Sequence, residues 1–312
     1  MMNKEKNFVS AVIYVHNAAS GIEAFLKAIV SVLEQNFEHS EIICVNDFSD
    51  DASVEIIRNA SQYVTTTSIS ILNMSSFHGL ELAMKAGVDF SIGDFVFEFD
   101  QPILDFESEI IMNVYRRALD GFDIVSASSD KKDKLSSRVF YRIFDLFSDL
   151  SYRMNSESFR ILSRRVINRV GAMNKTVMYR KAMYAESGLK SDNLKYTSRI
   201  GAKRITDRKE KRYRFSLAAD SLILFTDVGY KFSVMMTGIM MILSIFMLIY
   251  SITVYFTSMP VAGWTTTILF LSVVFFGLFG LLTIIIKYLQ LIVNLVFKRQ
   301  HYSFESIEKL TR

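Results

Sequence analysis

Hydrophobic and polar positions follow two spacings in the first 130 residues, and the two spacings take turns along the chain. Short apolar, β-branched runs predict strands, and segments with an apolar residue every three or four positions predict helices between them. Strands that alternate with helices of this length predict an α/β fold with a doubly wound, mostly parallel sheet. The predicted strands are Phe8–Val15, Glu41–Val45, Val64–Leu72, Phe95–Phe99 and Asp123–Ala127, and the predicted helices are Gly21–Glu34, Ser53–Ala60, Leu80–Phe90 and Glu107–Ala118.

The stretch Gly93–Asp105 contains the clearest candidate for a functional site. Its apolar, aromatic run Phe95–Phe99 is typical of a central strand buried on both faces. The run stops at Asp100, and Pro102 cannot continue a central strand. In α/β sheets, ligands bind in the crevice beyond the carboxyl ends of the strands. Asp100 is therefore either a ligand-binding acid or one of the many aspartates that simply begin a turn.

The last third of the chain contains a long segment without charge. No Asp, Glu, Lys, Arg or His occurs from Phe232 to Ile286. A membrane-spanning helix needs about 20 apolar residues, so this segment accommodates two spans. Pro260 and Gly263 lie in the turn predicted between them, Thr257–Trp264. We therefore expect a C-terminal two-helix transmembrane hairpin over residues 230–297.

The charges that flank this hairpin predict its orientation. Lys231 precedes the first span, Lys287 follows the second, and the connecting loop carries no charge. The positive-inside rule then places both ends of the hairpin on the cytoplasmic side. The N-terminal segment Met1–Val15 lacks the layout of a signal peptide, which agrees with that orientation. We expect a two-span protein of the cytoplasmic membrane whose N-terminal domain and C-terminus are cytoplasmic.

The cysteine and histidine content excludes two classes of site. The chain has one cysteine, Cys44, and four scattered histidines, so neither a disulfide framework nor a Cys/His metal cluster can be built. Cys44 lies in an apolar run and is most simply a buried core residue.

Two basic segments lie between the α/β domain and the predicted hairpin. Ser136–Met154 has one apolar and one basic face, which fits a helix in the membrane interface or an ordinary surface helix. Arg199–Arg214 contains eight Lys or Arg against Asp207 and Glu210. Such a segment attracts anionic headgroups, at about 1 kcal/mol per basic residue, or holds a phosphate-bearing substrate. Nucleic acid is not expected as a partner, because the charge is close to the membrane and few aromatic residues accompany it.

Several motifs occur in an order and spacing that resemble one family along nearly the whole chain. Val12–Asn17 (VIYVHN) corresponds to V-I-P-V-Y-N, Asn46–Asp51 to D-D-G-S-x-D, and Ser158–Arg164 (SFRILSR) to D-F-R-L-x-x-R. Gly79–Gly87 resembles G-x-x-x-A-x-x-x-G, and Leu217–Thr226 resembles L-A-L-D-G-I-x-x-F-S. The chain thus resembles the membrane-anchored, polyprenyl-phosphate type of glycosyltransferase family 2.

This resemblance implies a GT-A-like fold and an inverting transfer. The sugar would move from a UDP- or GDP-linked nucleotide-sugar to a polyprenyl (undecaprenyl or dolichyl) phosphate, with Mg²⁺ or Mn²⁺ as cofactor. The implied partners also include the lipid bilayer and a possible homo-oligomer. The implied domains are a nucleotide-sugar-binding core at 1–130, an acceptor-side and juxtamembrane region at 131–229, the hairpin at 230–297 and a cytoplasmic tail at 298–312. The implied site residues are Val15, Asn17, Asn46, Asp47 and Asp100 for the donor, Asp100 for the metal, Arg160 and Arg212 for the acceptor phosphate, and Asp100 and Arg160 for catalysis.

The chain departs from the family pattern where the chemistry is expected. Pro102 replaces the second aspartate of D-x-D and Ser158 replaces the acid before F-R, while Tyr14, Ala18 and Asn46 also differ. Mg²⁺ can be held by one carboxylate with substrate phosphates and water, so we expect a weakened metal site. An acceptor phosphate is already anionic near pH 7, which lessens the need for a general base. Two hypotheses follow: a divergent active glycosyltransferase, or a pseudoenzyme that binds a partner at the membrane.

Overall fold

The computed structural model describes residues 4–130, 157–173, 179–198 and 304–311, together with isolated positions between Met235 and Ile292. The chain divides into two compact units. The first comprises Met1–Ala218 with Gln300–Arg312, and the second comprises Ala219–Arg299.

An eight-stranded sheet forms the centre of the first unit, in the order β7-β5-β6-β4-β1-β2-β3-β8. The pairs β1–β2, β1–β4, β2–β3 and β5–β7 are parallel, whereas β4–β6, β5–β6 and β3–β8 are antiparallel. This arrangement confirms the predicted α/β fold with a mostly parallel sheet. The strands are β1 (Val9–Val15), β2 (Ser40–Asn46), β3 (Ser68–Met74), β4 (Phe95–Phe99), β5 (Ile124–Ser129), β6 (Phe159–Ser163), β7 (Ser191–Tyr196) and β8 (Phe304–Lys309).

Helices cover both faces of this sheet, and the alternating side chains of β1 show how. Its odd-numbered residues pack into a core shared with the first, second and fourth helices of the chain, whereas Val12 and Tyr14 pack on the other face with the third helix. Every residue of β1 is buried, as expected of a central parallel strand. The described helices of this unit are α1 (Ile22–Asn36), α2 (Ser53–Ser61), α3 (Leu80–Phe90), α4 (Glu109–Leu119), α5 (Arg164–Ala172) and α6 (Arg180–Glu186).

The predicted bounds agree best where apolar periodicity is strongest. β4 and α3 have the predicted ends, while β3 begins at Ser68 instead of Val64. The difference has a physical cause, because the Glu34 carboxylate accepts hydrogen bonds from the backbone amides of residues 65, 66 and 67. These amides, which an earlier start of β3 would need for its ladder, are thus used by a helix side chain.

The sheet continues beyond residue 130, the predicted end of the nucleotide-sugar-binding core. β6, β7 and β8 all belong to it, and β8 lies within the segment predicted as a cytoplasmic tail at 298–312. β8 pairs antiparallel with β3, and Arg58 of α2 donates to both carboxylate oxygens of Glu308, at 2.9 and 2.7 Å. β7 and β8 are edge strands with polar sequences, which carry little apolar pattern.

The membrane-related predictions fall almost entirely outside the described residues. These comprise the hairpin at 230–297, the amphipathic segment Ser136–Met154, and the basic segment Arg199–Arg214 with Arg212. The isolated positions described between Met235 and Ile292 are helical. In the part of the chain that the structure describes, no helix has the length and apolar character needed to cross a membrane.

Candidate functional site

The predicted site residues leave the sheet at one edge. The parallel pairing of β1 with β2 and β4 places the carboxyl ends of these three strands together. Antiparallel β6 begins at the same edge, because Phe159 pairs with Phe99. Asn17, Asp47 and Asp100 therefore come together with Ser158 around the crevice where α/β folds bind ligands.

Asp47 organises the loops on the β2 side of this edge. Its carboxylate is fully buried and accepts hydrogen bonds from the Tyr14 hydroxyl at 2.9 Å and from the amides of His78 and Gly79, both at 2.8 Å. Tyr14, which replaces the family's proline, thus supplies one of the contacts. In the structure this carboxylate therefore fixes the amino end of α3. Its predicted contact with the donor stays a prediction.

Asn17 and Asn46 tie the loops after β1 and β2 to each other. The Asn17 side-chain oxygen accepts from the amide of Asp50 at 2.8 Å, and the Asn17 amide donates to Ser49 Oγ at 3.2 Å. The Asn46 side-chain oxygen accepts from the Ser49 amide at 3.1 Å. Val15 is completely buried, so only its backbone can serve a ligand. These loops are pre-organised at the predicted donor side of the crevice.

Phe48 has an unusual backbone conformation in this loop. Its φ of 57° is in the left-handed region, which bulky residues rarely adopt, and its side chain is 51% exposed. Asn17 also has a positive φ, of 49°, but asparagine tolerates this region. Backbone strain of this kind is found preferentially at ligand-binding sites.

Asp100 lies between two buried arginines. One of its oxygens accepts from Arg180 Nη2 at 2.7 Å, and the other accepts from Arg160 Nη2 at 3.2 Å. Burial alone would raise the pKa of Asp100, but the charges of Arg160, Arg180 and Lys181 outweigh it and lower that pKa far below its usual range. Asp100 is therefore ionised near neutral pH, and it is 16% exposed while the arginines are almost completely buried.

Glu98 links the same two arginines from inside the sheet. Its side chain is fully buried and accepts from Arg160 Nη1 at 2.9 Å, Arg180 Nη1 at 2.5 Å and the Tyr184 hydroxyl at 2.8 Å. Glu157 accepts from Arg160 Nε at 3.0 Å and Glu81 from Arg180 Nε at 3.0 Å. The result is a buried ionic network in which each arginine contacts three carboxylates, of Glu81, Glu98, Asp100 and Glu157.

The network leaves Arg160 little capacity for a phosphate. All three of its side-chain nitrogens donate to carboxylates, and its side chain is only 2% exposed. Its predicted bidentate contact with an acceptor phosphate stays a prediction, and it would require some of these pairs to open. Lys181 is the more accessible cation nearby, beside a cavity of about 230 Å³ that Arg160 and Tyr184 also line.

The donor set at Asp100 fits a divalent cation only as a single-carboxylate site. Pro102 supplies no side-chain ligand, and among the residues that the structure describes no cluster of three His, Cys, Asp or Glu could hold a metal. Asp100 is ionised and partly exposed, as a ligand must be, but its oxygens are shared with two arginines. One carboxylate with substrate phosphates and waters suffices for Mg²⁺, with weaker binding than two carboxylates provide.

A hydrogen-bonded chain of three side chains lies beside Asp100. Tyr196 donates its hydroxyl proton to Asp105 Oδ1 at 2.9 Å, and the hydroxyls of Ser158 and Tyr196 are 2.5 Å apart. Burial raises the pKa of Tyr196, and the Asp105 carboxylate raises it further against the effect of Ser158. Tyr196 is therefore a neutral phenol near pH 7.

Sequence reasoning missed several members of the site. Glu98 gave a signal, because it is the one acid inside the apolar run Phe95–Phe99 and a lone charge in a buried strand needs a partner. Arg180, Tyr184 and Tyr196 gave none that could be recognised, since nothing in their local sequence shows that they meet β4 or β6.

Together, these features define a doubly wound α/β protein whose sheet has polar loops, a partly exposed acid and two buried arginines at its carboxyl edge, where such folds bind ligands. The chain belongs to the family described as Glycosyl transferase family 2, whose model matches residues 10–184.

Named relatives agree with this assignment. An uncharacterised glycosyltransferase of Synechocystis sp. is 26% identical over 186 residues, which cover 58% of this chain and 58% of the relative. A prophage bactoprenol glucosyl transferase homologue of Escherichia coli is 26% identical over 226 residues, covering 70% of this chain and 72% of the relative. The match thus spans less than two thirds of the first relative's length and more than two thirds of the second's.

A solved structure shows the same fold. The mannosyltransferase PcManGT from Pyrobaculum calidifontis, in complex with GDP-Man and Mn²⁺, superposes with a TM-score of 0.50 at 14% identity. The match covers 70% of this chain and 63% of that one. The fold is therefore GT-A-like.

Proposed function

We propose that this protein transfers a sugar from a nucleotide-sugar to a polyprenyl phosphate at a membrane, for synthesis or modification of a cell-envelope glycan. The observation that carries the proposal is an ionised Asp100 at the carboxyl edge of a family 2 domain, partly exposed in front of two arginines. The E. coli relative is named for bactoprenol, a polyprenol, and the Pyrobaculum structure contains a GDP-linked sugar. These names support a lipid acceptor and a nucleotide-linked sugar donor, which we expect to carry UDP or GDP.

The donor is expected to lie across the loops that follow β1, β2 and β4. Asn17 and Asn46 hold the first two loops in place, with Val15 and Asp47 beneath them. An acceptor oxygen on the far side of the sugar would attack the anomeric carbon and displace the nucleoside diphosphate, so the reaction would invert the configuration there. The loops contribute by orienting the donor before the acceptor arrives.

Mg²⁺ or Mn²⁺, bound with the donor, would supply positive charge for the departing diphosphate, and Asp100 is the residue that would hold it. The residues around Asp100 fix its charge and orientation. Arg160 and Arg180 keep Asp100 ionised and oriented, and Glu98 fixes both guanidinium groups from behind. The Arg199–Arg214 segment, with Arg212, is proposed to attract the acceptor's phosphate, as its charge suggests.

A membrane location is part of this proposal. The segment Phe232–Ile286 carries no charge, and described helical positions within it expose large apolar side chains, such as Ile242 at 70% and Phe246 at 62%. Exposed apolar surface of this kind suits lipid contact. We expect the two-span topology with a cytoplasmic catalytic domain, and a homo-oligomer is compatible with it.

A second candidate is a pseudoenzyme that binds a partner without catalysis. Two observations favour it: Pro102 removes a metal ligand, and three carboxylates already use the side chain of Arg160. It would keep the fold and the ionic network for stability alone.

Nucleotide binding is the first test. Thermal unfolding of the detergent-purified chain would be followed with UDP-glucose or GDP-mannose, with and without Mn²⁺. We expect one nucleotide-sugar to stabilise the protein more strongly with Mn²⁺, and Asp100→Asn to abolish the metal-dependent part. Asp89→Asn is the matched control, because Asp89 forms a partly exposed ion pair with Lys85 and lies at the carboxyl end of α3, opposite to the end that Asp47 holds.

Transfer is the second test. The same nucleotide-sugar, radiolabelled in the sugar, would be incubated with undecaprenyl phosphate and the lipid product extracted. We expect label in the lipid and a loss of about 100-fold or more with Asp100→Asn. Nucleotide binding without any transfer would favour the pseudoenzyme, and the absence of both would refute the proposed function.

A further inference from the structure

We propose that Ser158, Tyr196 and Asp105 form a proton relay that takes the remaining acidic proton from the acceptor phosphate and passes it to Asp105. This inference rests on the proposed function and adds three residues to it. None of these three side chains has been given a role in the donor or metal contacts described above.

The direction of the relay follows from counting protons. Tyr196 has one hydroxyl proton, and a carboxylate can only accept, so that proton points to Asp105. Ser158 must then donate its own proton to the Tyr196 oxygen. The Ser158 oxygen keeps its lone pairs for a donor outside the protein, and the chain has a defined polarity from Ser158 to Asp105.

The position of Ser158 gives the relay access to the reaction. Phe159 pairs with Phe99, so Ser158 and Asp100 leave adjacent strands at the same edge of the sheet. Ser158 is partly exposed, whereas Tyr196 is 8% exposed and packs edge-on against Phe106, with 5.9 Å between ring centres. The open end of the relay thus faces the crevice, and its middle member is shielded from water.

The chemistry balances when the acceptor is a phosphate monoanion. One phosphate oxygen forms a bond to the anomeric carbon, and the bond from that carbon to the diphosphate oxygen breaks, releasing the nucleoside diphosphate. The new phosphodiester would then carry one excess proton. That proton moves to Ser158 while the Ser158 proton moves to Tyr196 and the Tyr196 proton moves to Asp105. Asp105 becomes a neutral acid and loses its proton to solvent when the product leaves.

A dianionic acceptor has no such proton, and this makes the relay testable by pH. The second pKa of a phosphate monoester is about 6, so the relay matters below that pH and much less above it. The charged groups around the relay are Asp105 and Asp130 on the side of Tyr196, and Asp100, Glu157 and Arg160 on the side of Ser158. In the experiment, each variant is compared with the wild type at the same pH. Titration of these surrounding groups, which both proteins share, then cancels from the comparison.

The decisive experiment combines removal of the relay with its replacement. Transfer to undecaprenyl phosphate would be measured for Tyr196→Phe at about pH 5.5 and about pH 8. We expect kcat to fall about 100-fold at the lower pH and only a few-fold at the higher one, with unchanged nucleotide-sugar affinity. Ser158→Asp, which places a carboxylate at the open end, should restore most of the activity of Tyr196→Phe at low pH.

Tyr115→Phe is the matched control, because Tyr115 is also buried and hydrogen-bonded, but to Asn7 and Glu5 before β1 at the opposite edge of the sheet. Equal losses in both tyrosine variants, a pH-independent loss in Tyr196→Phe, weakened donor binding in that variant, or no rescue by Ser158→Asp would each overturn the relay. A wild-type protein that binds nucleotide-sugar but never transfers the sugar would instead overturn the proposed function.

Discussion

Phe48 adopts a left-handed conformation that costs free energy, and the surrounding loop enforces it. Asn46 and Asn17 hold the backbone that follows Phe48, through the amides of Ser49 and Asp50. A strained non-glycine residue of this kind typically costs 1–3 kcal/mol. Its persistence suggests that this loop serves ligand binding more than stability.

We expect Phe48→Gly to stabilise the protein by about 1 kcal/mol, because glycine adopts a positive φ freely and part of the gain is offset by its greater freedom in the unfolded chain. Thermal unfolding would show a rise of about 2–4 °C for a domain of this size. Tyr63→Gly is the control: Tyr63 is 81% exposed and is not among the residues with positive φ, so it should give no such gain. A lower melting temperature for Phe48→Gly would show that the loop is not strained.

Glu98 shows how far single residues could be predicted. The apolar run around it correctly predicted a buried strand, but pattern alone could not supply its partners, since Arg160 and Arg180 are 62 and 82 positions away. Asp100 was also predicted at the correct edge of the sheet, because it directly follows the apolar run that predicted β4. Its arginine neighbours depend on long-range pairing that one sequence does not reveal.

Replacing Glu98 should be among the most damaging single changes in the chain. Glu98→Gln keeps the size of the side chain but replaces an accepting oxygen with an NH₂ group, which would face a buried N–H or O–H donor of Arg160, Arg180 or Tyr184. We expect a loss of about 3–5 kcal/mol in the free energy of unfolding, measured by urea denaturation. Glu23→Gln, which removes an exposed ion pair with Lys27, should leave the midpoint nearly unchanged. Similar midpoints for the two variants would contradict a tightly coupled network.

At the level of elements, predictability followed the strength of the local apolar pattern. β4 and α3 were predicted to the residue, because each carries a complete apolar period of its own type. β7 and β8 were not predicted, because both are polar edge strands whose existence depends on a partner strand far away in sequence. β6 was recognised only as a motif, since its antiparallel pairing with β4 and β5 is a tertiary property.

β8 protects the edge of β3, so its removal should have a visible effect. Deleting residues 304–312 would free the backbone of β3 that now pairs with β8, and would leave Arg58 without Glu308. We expect faster hydrogen exchange at Ile69, whose amide now donates to Thr311, and more aggregation on concentration. Glu308→Gln in the intact chain is the control and should change neither property appreciably. Unchanged exchange after the deletion would mean that β8 is not paired in solution.

The free energy of unfolding of the whole first unit should decrease as the pH falls into the acid range. Asp100 has a pKa below its unfolded value of about 3.9, so its stabilising contribution is complete well above that pH and is lost as pH falls toward the folded value. Glu34 acts in the same direction: burial opposes the shift, but the amides of Thr66, Thr65 and Thr67 lower its pKa.

We therefore expect wild type and Asp100→Asn to differ most in unfolding free energy near neutral pH, and to converge below about pH 4. Chemical denaturation at a series of pH values would measure this difference directly. A gap that stays constant down to about pH 3 would mean that the Asp100 carboxylate gains nothing from its arginines.

The closure of the sheet by β8 has a consequence for biosynthesis. The ribosome makes β3 early and β8 last, with the whole unit Ala219–Arg299 between them. During all of that synthesis β3 is a bare edge, and the nascent sheet cannot reach its final strand order. The sheet domain can therefore be completed only after the whole unit Ala219–Arg299 has been synthesised. A product that stops within that unit lacks β8 and leaves the edge of β3 exposed to quality-control proteases and chaperones.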